Sequence, residues 1–415
     1  MQVTFTRTTA LTASLALAAA ITTVTSSQAA GSQSVGSQAV GSQAAGSSAS
    51  GVAASTDVAS RQGEVVRVMT RNIFLGADLG PAFRSTSAAG FIAANGEILN
   101  QVGATNMPVR SKGLAGEILK AKPDLVGLQE AALWRTGPVD INAALNQQPV
   151  ATKVYQDFIQ LLLKRLNAKK KTYEAVFVTQ EFDFEAPADT DGNPDTGPIY
   201  GADVNGRLTM RDAILIRRGQ GIRVRNERGN SFSDANLFKV RVAGIVEVSV
   251  LRGWQSVEVK VRNSPWFRFT NVHLEAFDDR EDRPSIRARQ AQELVDRTKT
   301  TAIPGVTVGD FNSDYPGLVP GDEQAYVVMK RNGYVSVGTR DPMSCCIKDS
   351  YDLTTGSRKD FDHRVDQILT PTPDRVKRLD AWVTGRSKHN GYWDSDHAGV
   401  VSELLISRAG SGALG

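Results

Sequence analysis

Two polar residues that could bind a cation or a phosphate group follow a short apolar run near the end of the chain. Residues 303–308 are rich in β-branched side chains, which predicts a buried strand. Asp310 and Asn312 follow two positions apart, so they share one side if the strand geometry continues. A carboxylate and an amide together suit a hard cation or a phosphate oxygen beside one. An ordinary strand-to-loop exit uses the same residue types, so this stretch alone leaves both interpretations open.

Other polar residues also follow apolar runs, and two of the chain's four histidines are among them. Each has a structural alternative: a carboxylate at a helix N-terminus, a buried core histidine, a partner for arginine, or a surface turn. Their occurrence together is more typical of one shared site. The full set is Asn72, Glu130, His273, Asp310, Asn312, Asp366, Asp396 and His397.

With these residues in order, the sequence resembles the endonuclease/exonuclease/phosphatase superfamily, whose fold is deoxyribonuclease-I-like. The matching motifs cover residues 64–406. The resemblance implies an α/β fold, a four-layered α/β/β/α sandwich of two mixed β-sheets flanked by helices, and metal-dependent hydrolysis of phosphate esters. The motifs are TRN ending at Asn72, LQE ending at Glu130, NVHL around His273, RxxQ at 287–290, GDFN at 309–312, RVDQI around Asp366, and SDH at 395–397.

The resemblance implies a catalytic group centred on the second histidine. His397 would be the general base or would orient the attacking water, and Asp366 would raise its basicity from the other ring nitrogen. Asp310 would position the water or protonate the leaving group. Asn312 and His273 would donate hydrogen bonds to the non-bridging phosphate oxygens. Arg211 would add a phosphate contact, although Asp212 stands where many members of the superfamily carry Asn.

The expected cofactor is a divalent cation, which neutralises the phosphate and stabilises the leaving oxygen. Glu130 is the first expected ligand, with Asn72 and Asp396 nearby or on a second ion. Magnesium favours few carboxylates and several waters, which suits this sparse set, and Mn²⁺ or Ca²⁺ are alternatives.

The elements that must position these residues can be predicted from hydrophobic periodicity. Strand-rich segments with interspersed helices, without regular βαβ alternation, favour layered sheets over a barrel. Helices are expected at 113–120, 154–166 and 285–298. Strands are expected at 65–70, 125–128, 174–178, 213–216, 245–251, 257–261, 266–272, 303–308, 376–383 and 400–405.

The 415 residues are expected to hold one folded domain behind an export signal. Residues 1–30 combine a basic start, a short apolar stretch and a small-residue cleavage site, which predicts a secretory signal peptide. Residues 31–62 repeat a Gly/Ser/Gln/Ala unit and predict a flexible linker. The domain is expected over 63–408, with a flexible tail at 409–415. We expect a secreted monomer without a transmembrane segment.

Two local features stand apart from the catalytic set. Alternate oxygen side chains at Asp189, Asp191, Asn193 and Asp195 suit structural Ca²⁺, but Pro194 and the absence of a closing Glu depart from an EF-hand loop, so a solvated acidic turn is the alternative. Cys345 and Cys346 are the only cysteines. In an exported protein they could form a vicinal disulfide or remain two thiols, and one cysteine pair does not favour a zinc site.

The substrate is the least determined part of the prediction. A net charge of +4 neither requires nor excludes a polyanion. A nuclease is favoured, because a basic run could follow a phosphate backbone, although outward arginines on a strand pair explain the run equally simply. A sphingomyelinase-like phospholipid phosphodiesterase would use Trp254 as an exposed anchor. An inositol-phosphate phosphatase and a catalytically dead secreted binding module are further alternatives. The basic run contains Arg217, Arg218, Arg223, Arg225 and Arg228.

Overall fold

The computed structural model describes residues 63–141, 148–243, 246–277, 284–315, 323–340, 343–349 and 351–408. The predicted signal peptide, linker and C-terminal tail, at 1–30, 31–62 and 409–415, lie outside these residues. None of the helices in the described ranges is both long and apolar enough to cross a membrane.

The first sheet carries the N- and C-terminal strands of the domain side by side. The order in its main path is β15-β16-β1-β2-β6-β3-β4, and β5 pairs with β6. β1 runs parallel to β2 and antiparallel to β16, so this sheet is mixed. Its strands are β1 (Glu64–Asn72), β2 (Leu125–Gln129), β3 (Leu133–Gly137), β4 (Lys153–Asp157), β5 (Tyr173–Ala188), β6 (Val204–Arg217), β15 (Val376–Thr384) and β16 (Gly399–Ile406).

The second sheet is also mixed, because β11 runs parallel to β12 and antiparallel to β10. Its order is β13-β14-β12-β11-β10-β7. A separate hairpin pairs β8 (Phe238–Val242) with β9 (Val246–Val250). The strands of the second sheet are β7 (Ile222–Ser231), β10 (Gly253–Val261), β11 (Phe267–His273), β12 (Gly305–Asp310), β13 (Val335–Ser336) and β14 (Asp366–Thr370).

Alternation along β1 places apolar side chains in a core on each face of the first sheet. Val68 of β1 packs with Phe269 and Val306 of the second sheet, forming the core between the sheets. The next residue, Met69, points to the opposite face and packs with Leu114 and other residues of the helices that cover the first sheet. This is the period of two expected of a strand buried on both faces.

Helices complete the outer layers. The helices α2, α3 and α4 contribute residues to the core outside the first sheet, and α5 and α6 contribute to the core beside β11 and β14. The predicted fold class, four layers with two mixed sheets between helices, is therefore confirmed. The helices are α1 (Gly80–Arg84), α2 (Ala88–Ala104), α3 (Met107–Ala121), α4 (Phe158–Leu166), α5 (Ile286–Thr298) and α6 (Gln324–Arg331).

The helix predicted over 154–166 was wrong in its first turn. Lys153–Asp157 is a strand paired with β3, and the helix begins at Phe158. The side chain of Asp157 accepts a hydrogen bond from the backbone N–H of Gln160 at 3.1 Å, which caps the helix. Strand pairing and this cap outweigh the apolar periodicity that continues into Val154.

Trp254 is not the exposed anchor that the phospholipid alternative requires. Trp254 lies in β10 rather than in a turn, and only 7% of its surface is exposed. Because β10 lies between β7 and β11, Trp254 packs with Phe232, Val272 and Leu294 under the helices of the second sheet. The anchor expected of a phospholipid-binding surface is therefore absent at this position.

The acidic stretch at 189–195 forms a hydrogen-bonded turn. Carboxylate oxygens of Asp189 and Asp191 accept backbone N–H groups of Gly192 and Asn193, at 2.7 and 2.8 Å. The Asn193 side chain accepts the N–H of Asp195 at 3.2 Å. The oxygens thus have the partners of ordinary Asx turns, and structural Ca²⁺ at Asp189, Asp191, Asn193 and Asp195 stays a prediction.

Candidate active site

The site lies where the ends of the two sheets meet. His397 precedes β16 of the first sheet, and Asp366 is the first residue of β14 in the second. His397 Nδ1 lies 2.9 Å from Asp366 Oδ2, and both side chains are buried. The pairing directs His397 Nε2 towards Asp310, whose Oδ2 atom is 3.6 Å away. The sequence motifs that contain these three residues are therefore brought into one cluster.

A second bond across the sheets fixes Asp310. Asn72, at the end of β1, donates from Nδ2 to Asp310 Oδ2 at 3.0 Å. The other carboxylate oxygen, Asp310 Oδ1, accepts the backbone N–H of Asn312 at 2.9 Å. Asn72 Oδ1 accepts the N–H of Phe74 at 2.9 Å. The Asn72 amide thus positions Asp310, while its predicted role as a metal ligand requires the remaining lone pair of Oδ1.

Two of the predicted site residues leave their strands with left-handed backbone conformation. Glu130 has φ of 57° and Asn312 has φ of 46°. This region is disfavoured for residues with a Cβ, least so for Asn, and such residues cluster at functional sites. Gly309 has a packing reason for its type, because a Cβ there would collide with the carbonyl oxygen of Val272.

Glu130 and Asp396 are the carboxylates that fit a hard cation. Glu130 Oε2 accepts the N–H of Leu75 at 2.7 Å. Burial raises the pKa of Asp396 to about 6; repulsion from Glu130 adds to the rise, and His397 and Arg110 oppose it. A divalent cation between such carboxylates would remove the repulsion, and oxygen donors of this kind suit Mg²⁺ and Mn²⁺. The chemical type of these donors therefore suits the predicted metal, and the metal site stays a prediction.

Competing effects act on the pKa of His397. Burial alone would lower the pKa of His397, but the carboxylates of Asp366 and Asp310 outweigh it and raise this pKa well above its ordinary value. Burial raises the pKa of Asp310, with His397 opposing and Asp366 adding to the shift. Asp310 and His397 thus shift each other's pKa: the histidine lowers that of the carboxyl, and the carboxylate raises that of the imidazole.

His273 lies close to Asp310 and is fully buried. Its Nε2 atom is 3.8 Å from Asp310 Oδ2 and 3.9 Å from Glu130 Oε1. Burial, together with the positive charges of Arg252 and His397, lowers the pKa of His273 well below its ordinary value. The neutral ring can donate one hydrogen bond, as the phosphate-binding prediction requires.

A buried charged group beside His273 was missed from the sequence. Arg252 Nη1 lies 3.2 Å from His273 Nδ1, and its Nη2 atom lies 3.8 Å from Glu275. Glu181 and Asp212 are also buried here, and each has a carboxylate oxygen without a hydrogen-bond donor. Burial raises the pKa of Glu181 to about 7, with Arg252 opposing the shift. The sequence carries no motif that joins these residues, since they come from different strands, from the connection between β9 and β10, and from the loop after β11.

Asn312 and Arg211 have structural partners as well as their predicted phosphate roles. Asn312 Nδ2 donates to the carbonyl of Leu274 at 2.9 Å, which leaves the second N–H of this amide for a ligand. Arg211 donates to the carbonyls of Ala131 and Ala132 at 3.1 and 3.2 Å and pairs with Asp157 at 2.7 Å. The structure therefore places Arg211 on the backbone after Glu130 and not in the His397 cluster.

Arg71 holds the loop that carries His397. Its guanidinium, fully buried, donates to the carbonyls of His397 and Asn72 at 2.6 and 3.0 Å and pairs with Glu117 of α3 at 3.0 Å. Ser395 Oγ donates to the carbonyl of Asn72 at 2.9 Å. These bonds hold the end of β1 against the loop that carries His397. The sequence signal was the Arg71-Asn72 pair within the TRN motif.

The structure joins Cys345 and Cys346 in a disulfide. Of the two alternatives for this pair, a vicinal disulfide or two thiols, the structure therefore has the disulfide. Cys346 Sγ lies 3.7 Å from His397 Nε2. The disulfide thus borders the atom that would activate water.

No protein-family model and no curated protein sequence matches the chain. Solved structures do match it. An endonuclease/exonuclease/phosphatase from Beutenbergia cavernae is 18% identical, with a TM-score of 0.48, covering 83% of this chain and 72% of that one. A family protein from Leptotrichia buccalis is 15% identical, with a TM-score of 0.46, covering 82% and 100%. The chain is similar in fold to endonuclease/exonuclease/phosphatase proteins. A mannosyl-6-phosphatase from Bacteroides thetaiotaomicron is also similar, at 15% identity and a TM-score of 0.42, covering 82% and 100%.

Proposed function

We propose that this protein is a secreted, divalent-metal-dependent phosphoesterase that hydrolyses phosphodiester bonds, with nucleic acid as its substrate. The observation that carries the proposal is the buried His397–Asp366 pair, 2.9 Å apart, with His397 Nε2 directed towards Asp310. A histidine oriented by one carboxylate and facing a second polar group has the arrangement of a general base.

In the proposed reaction, His397 Nε2 takes a proton from the attacking water while Asp366 stabilises the resulting imidazolium. Asp310 orients that water through the oxygen that Asn72 holds in place. The second N–H of Asn312 and the neutral His273 ring donate to non-bridging phosphate oxygens, where negative charge develops. A divalent cation held by Glu130 and Asp396 would neutralise the phosphate and stabilise the leaving oxygen.

The arginines of the basic run support nucleic acid as the substrate only in part, because several of them are paired with carboxylates. Arg217, Arg218 and Arg225 of the basic run are paired with Asp124, Glu174 and Glu258. The side chains of Arg223 and Arg225 also lie over the Trp266 ring, at 5.9 and 4.0 Å from its centroid. The Trp266 ring is half-buried, and arginine beside an aromatic ring suits a single-stranded nucleic acid. The phospholipid alternative has lost its anchor, because Trp254 is buried.

A hydrolysis panel tests the proposal. The protein from residue 31 onward is incubated with plasmid DNA, RNA, sphingomyelin, an inositol phosphate and an artificial phosphodiester, with Mg²⁺ or with EDTA. We expect Mg²⁺-dependent cleavage of DNA or RNA that weakens steeply as salt increases. Release of the lipid headgroup or of inorganic phosphate alone would reassign the substrate. Absence of cleavage with Mg²⁺, Mn²⁺ and Ca²⁺ would favour a binding module.

Export and oligomeric state need separate measurements. We expect the mature protein in the culture medium with its N-terminus near residue 30, and a monomer by light scattering. Retention of residues 1–30 in a cell-associated protein would contradict the proposed secretion.

A further inference from the structure

The backbone that carries the cysteine pair is bonded directly to the catalytic loop. The carbonyl of Ser344 accepts the N–H of Ala398 at 2.7 Å, and the N–H of Ile347 donates to the carbonyl of Asp396 at 2.9 Å. Ser344 Oγ also accepts the N–H of Asp366 at 3.3 Å. The segment 344–347 is therefore attached on both sides of His397 and to its carboxylate partner.

These attachments bring three soft-metal ligands together. One ligand atom from each of Cys345, Cys346 and His397 lies within 4.8 Å of the others. Tetrahedral zinc, with bonds of about 2.3 Å to sulfur and about 2.0–2.1 Å to nitrogen, places sulfur and nitrogen about 3.6 Å apart. Cys346 Sγ and His397 Nε2 are 3.7 Å apart, so this pair already has the separation of two zinc ligands.

We propose that Cys345, Cys346 and His397 form an inhibitory site for a soft divalent cation such as Zn²⁺, which opens when the disulfide is reduced. A dithiol supplies two electrons and two protons: the S–S bond breaks, two thiols form, and the dithiol becomes a disulfide. The cation then binds both sulfurs as thiolates and His397 Nε2 through its lone pair, releasing the two thiol protons.

The proposed Cys345–Cys346–His397 site differs from the predicted metal site at Glu130 and Asp396 in its ligands and in its effect on hydrolysis. Thiolates and imidazole select Zn²⁺ or Cd²⁺ over Mg²⁺, whereas the Glu130 and Asp396 oxygens suit Mg²⁺. A cation on His397 Nε2 uses the lone pair that must accept the proton of the attacking water. Hydrolysis would therefore stop. This inhibitory effect rests on the proposed function, but cation binding does not.

The disulfide is reachable by a reductant. Cys345 is buried, with 5% of its surface exposed, but Cys346 is only half-buried. In the oxidising environment expected outside the cell the disulfide persists, so the two sulfurs cannot bind a cation as thiolates. In a reducing environment the same protein would bind Zn²⁺ and be inactive, so the pair would restrict hydrolysis to the oxidised protein.

Binding is measured first, with Cd²⁺ alone as the probe. The protein is reduced with a phosphine, which is then removed, and Cd²⁺ is titrated while the thiolate-to-metal ultraviolet absorption is recorded. Because the chain has only these two cysteines, the absorption reports this pair alone. We expect one Cd²⁺ per chain in the reduced protein and none in the oxidised protein. His397→Ala should weaken the affinity on the order of 10- to 100-fold.

Inhibition is measured next, on the artificial phosphodiester with saturating Mg²⁺. We expect Zn²⁺ to abolish hydrolysis by the reduced protein, to leave the oxidised protein active, and to lose its effect in Cys345→Ala/Cys346→Ala. Each protein is compared with itself with and without Zn²⁺. No absorption band when Cd²⁺ is added to the reduced protein, or an unchanged affinity in His397→Ala, would overturn the proposed site. Cd²⁺ binding without detectable hydrolysis in any state would contradict the proposed function and leave the cation site standing.

Discussion

The Nδ1 atom of His397 lies 2.9 Å from Asp366 Oδ2, and this bond joins the loop before β16 to the start of β14 in the other sheet. The Asn72–Asp310 bond makes a second connection between the same two sheets. The site therefore depends on how the sheets pack against each other, and not on either sheet alone.

Replacing Asp366 by Asn should alter both the rate and its pH dependence. The carboxylate raises the pKa of His397, so its removal lowers this pKa and moves the acid limb of the kcat/KM profile to lower pH. The maximal rate should fall about 10²-fold or more, since the imidazolium loses its partner. An Asp366→Asn enzyme that keeps the wild-type acid limb would show that this carboxylate does not control the titration of His397.

Removing the Arg71 side chain should destabilise the protein. Arg71→Ala leaves the Glu117 carboxylate, 11% exposed, without its partner and should lower the free energy of unfolding by about 3–5 kcal/mol. Arg218→Ala is the matched control, because the Arg218–Glu174 pair is about two-fifths exposed on both sides and should contribute about 0–1 kcal/mol. Urea unfolding measures both, and equal effects would mean that the buried Arg71–Glu117 pair contributes no more to stability than the exposed pair.

The buried carboxyl of Glu181 should make stability depend on pH. Burial raises its folded-state pKa from 4.5 to about 7, so between these values the unfolded chain releases a proton that the folded protein keeps. The protonated Glu181 carboxyl therefore stabilises the folded protein by about 3 kcal/mol relative to its ionised form. This contribution is fully present below pH 4.5 and is lost as pH rises through about 7.

Denaturant unfolding in EDTA across this range tests the Glu181 prediction. Glu181→Gln cannot ionise, so its free energy of unfolding should fall less between pH 4.5 and 7 than that of the wild type. Parallel curves for the two proteins would assign the pH dependence to other groups.

Glu130 should contribute to metal affinity. Glu130→Gln removes one of the two carboxylate charges expected at the cation, so Mn²⁺ should bind at least about 10-fold more weakly, with part of the lost activity restored by excess metal. Calorimetric titration with Mn²⁺ gives the affinity directly. Glu97→Gln, at an exposed position of α2, is the control and should bind Mn²⁺ as the wild type does.

The predictable part of the fold came from apolar runs and from polar residues at their ends. Asp310 and His397 could be expected to share a site because each lies in a motif that resembles one of the endonuclease/exonuclease/phosphatase superfamily. The expected strand at 303–308 is observed as Gly305–Asp310, and the helix expected at 285–298 as Ile286–Thr298. Local patterns were sufficient for these elements because the strand is a continuous buried run and the helix buries one apolar face.

Other features depend on contacts distant in sequence. The burial of Arg252, Glu181 and Glu275 in one cluster follows from strand register, which no single segment encodes. The length of β5 was also missed, because its Tyr173–Ala188 segment is largely half-exposed and acidic. Its pairing with β6 outweighs the weak strand propensity of those residues.

The most direct test of the account is the hydrolysis of an artificial phosphodiester by the wild type and by His397→Ala, each with saturating Mg²⁺ and with EDTA. Circular dichroism and unfolding curves first establish that the variant is folded. The account predicts Mg²⁺-dependent turnover by the wild type and a rate about 10²- to 10⁴-fold lower in the variant. Wild-type turnover by a correctly folded His397→Ala protein would contradict the assignment of His397 as the base.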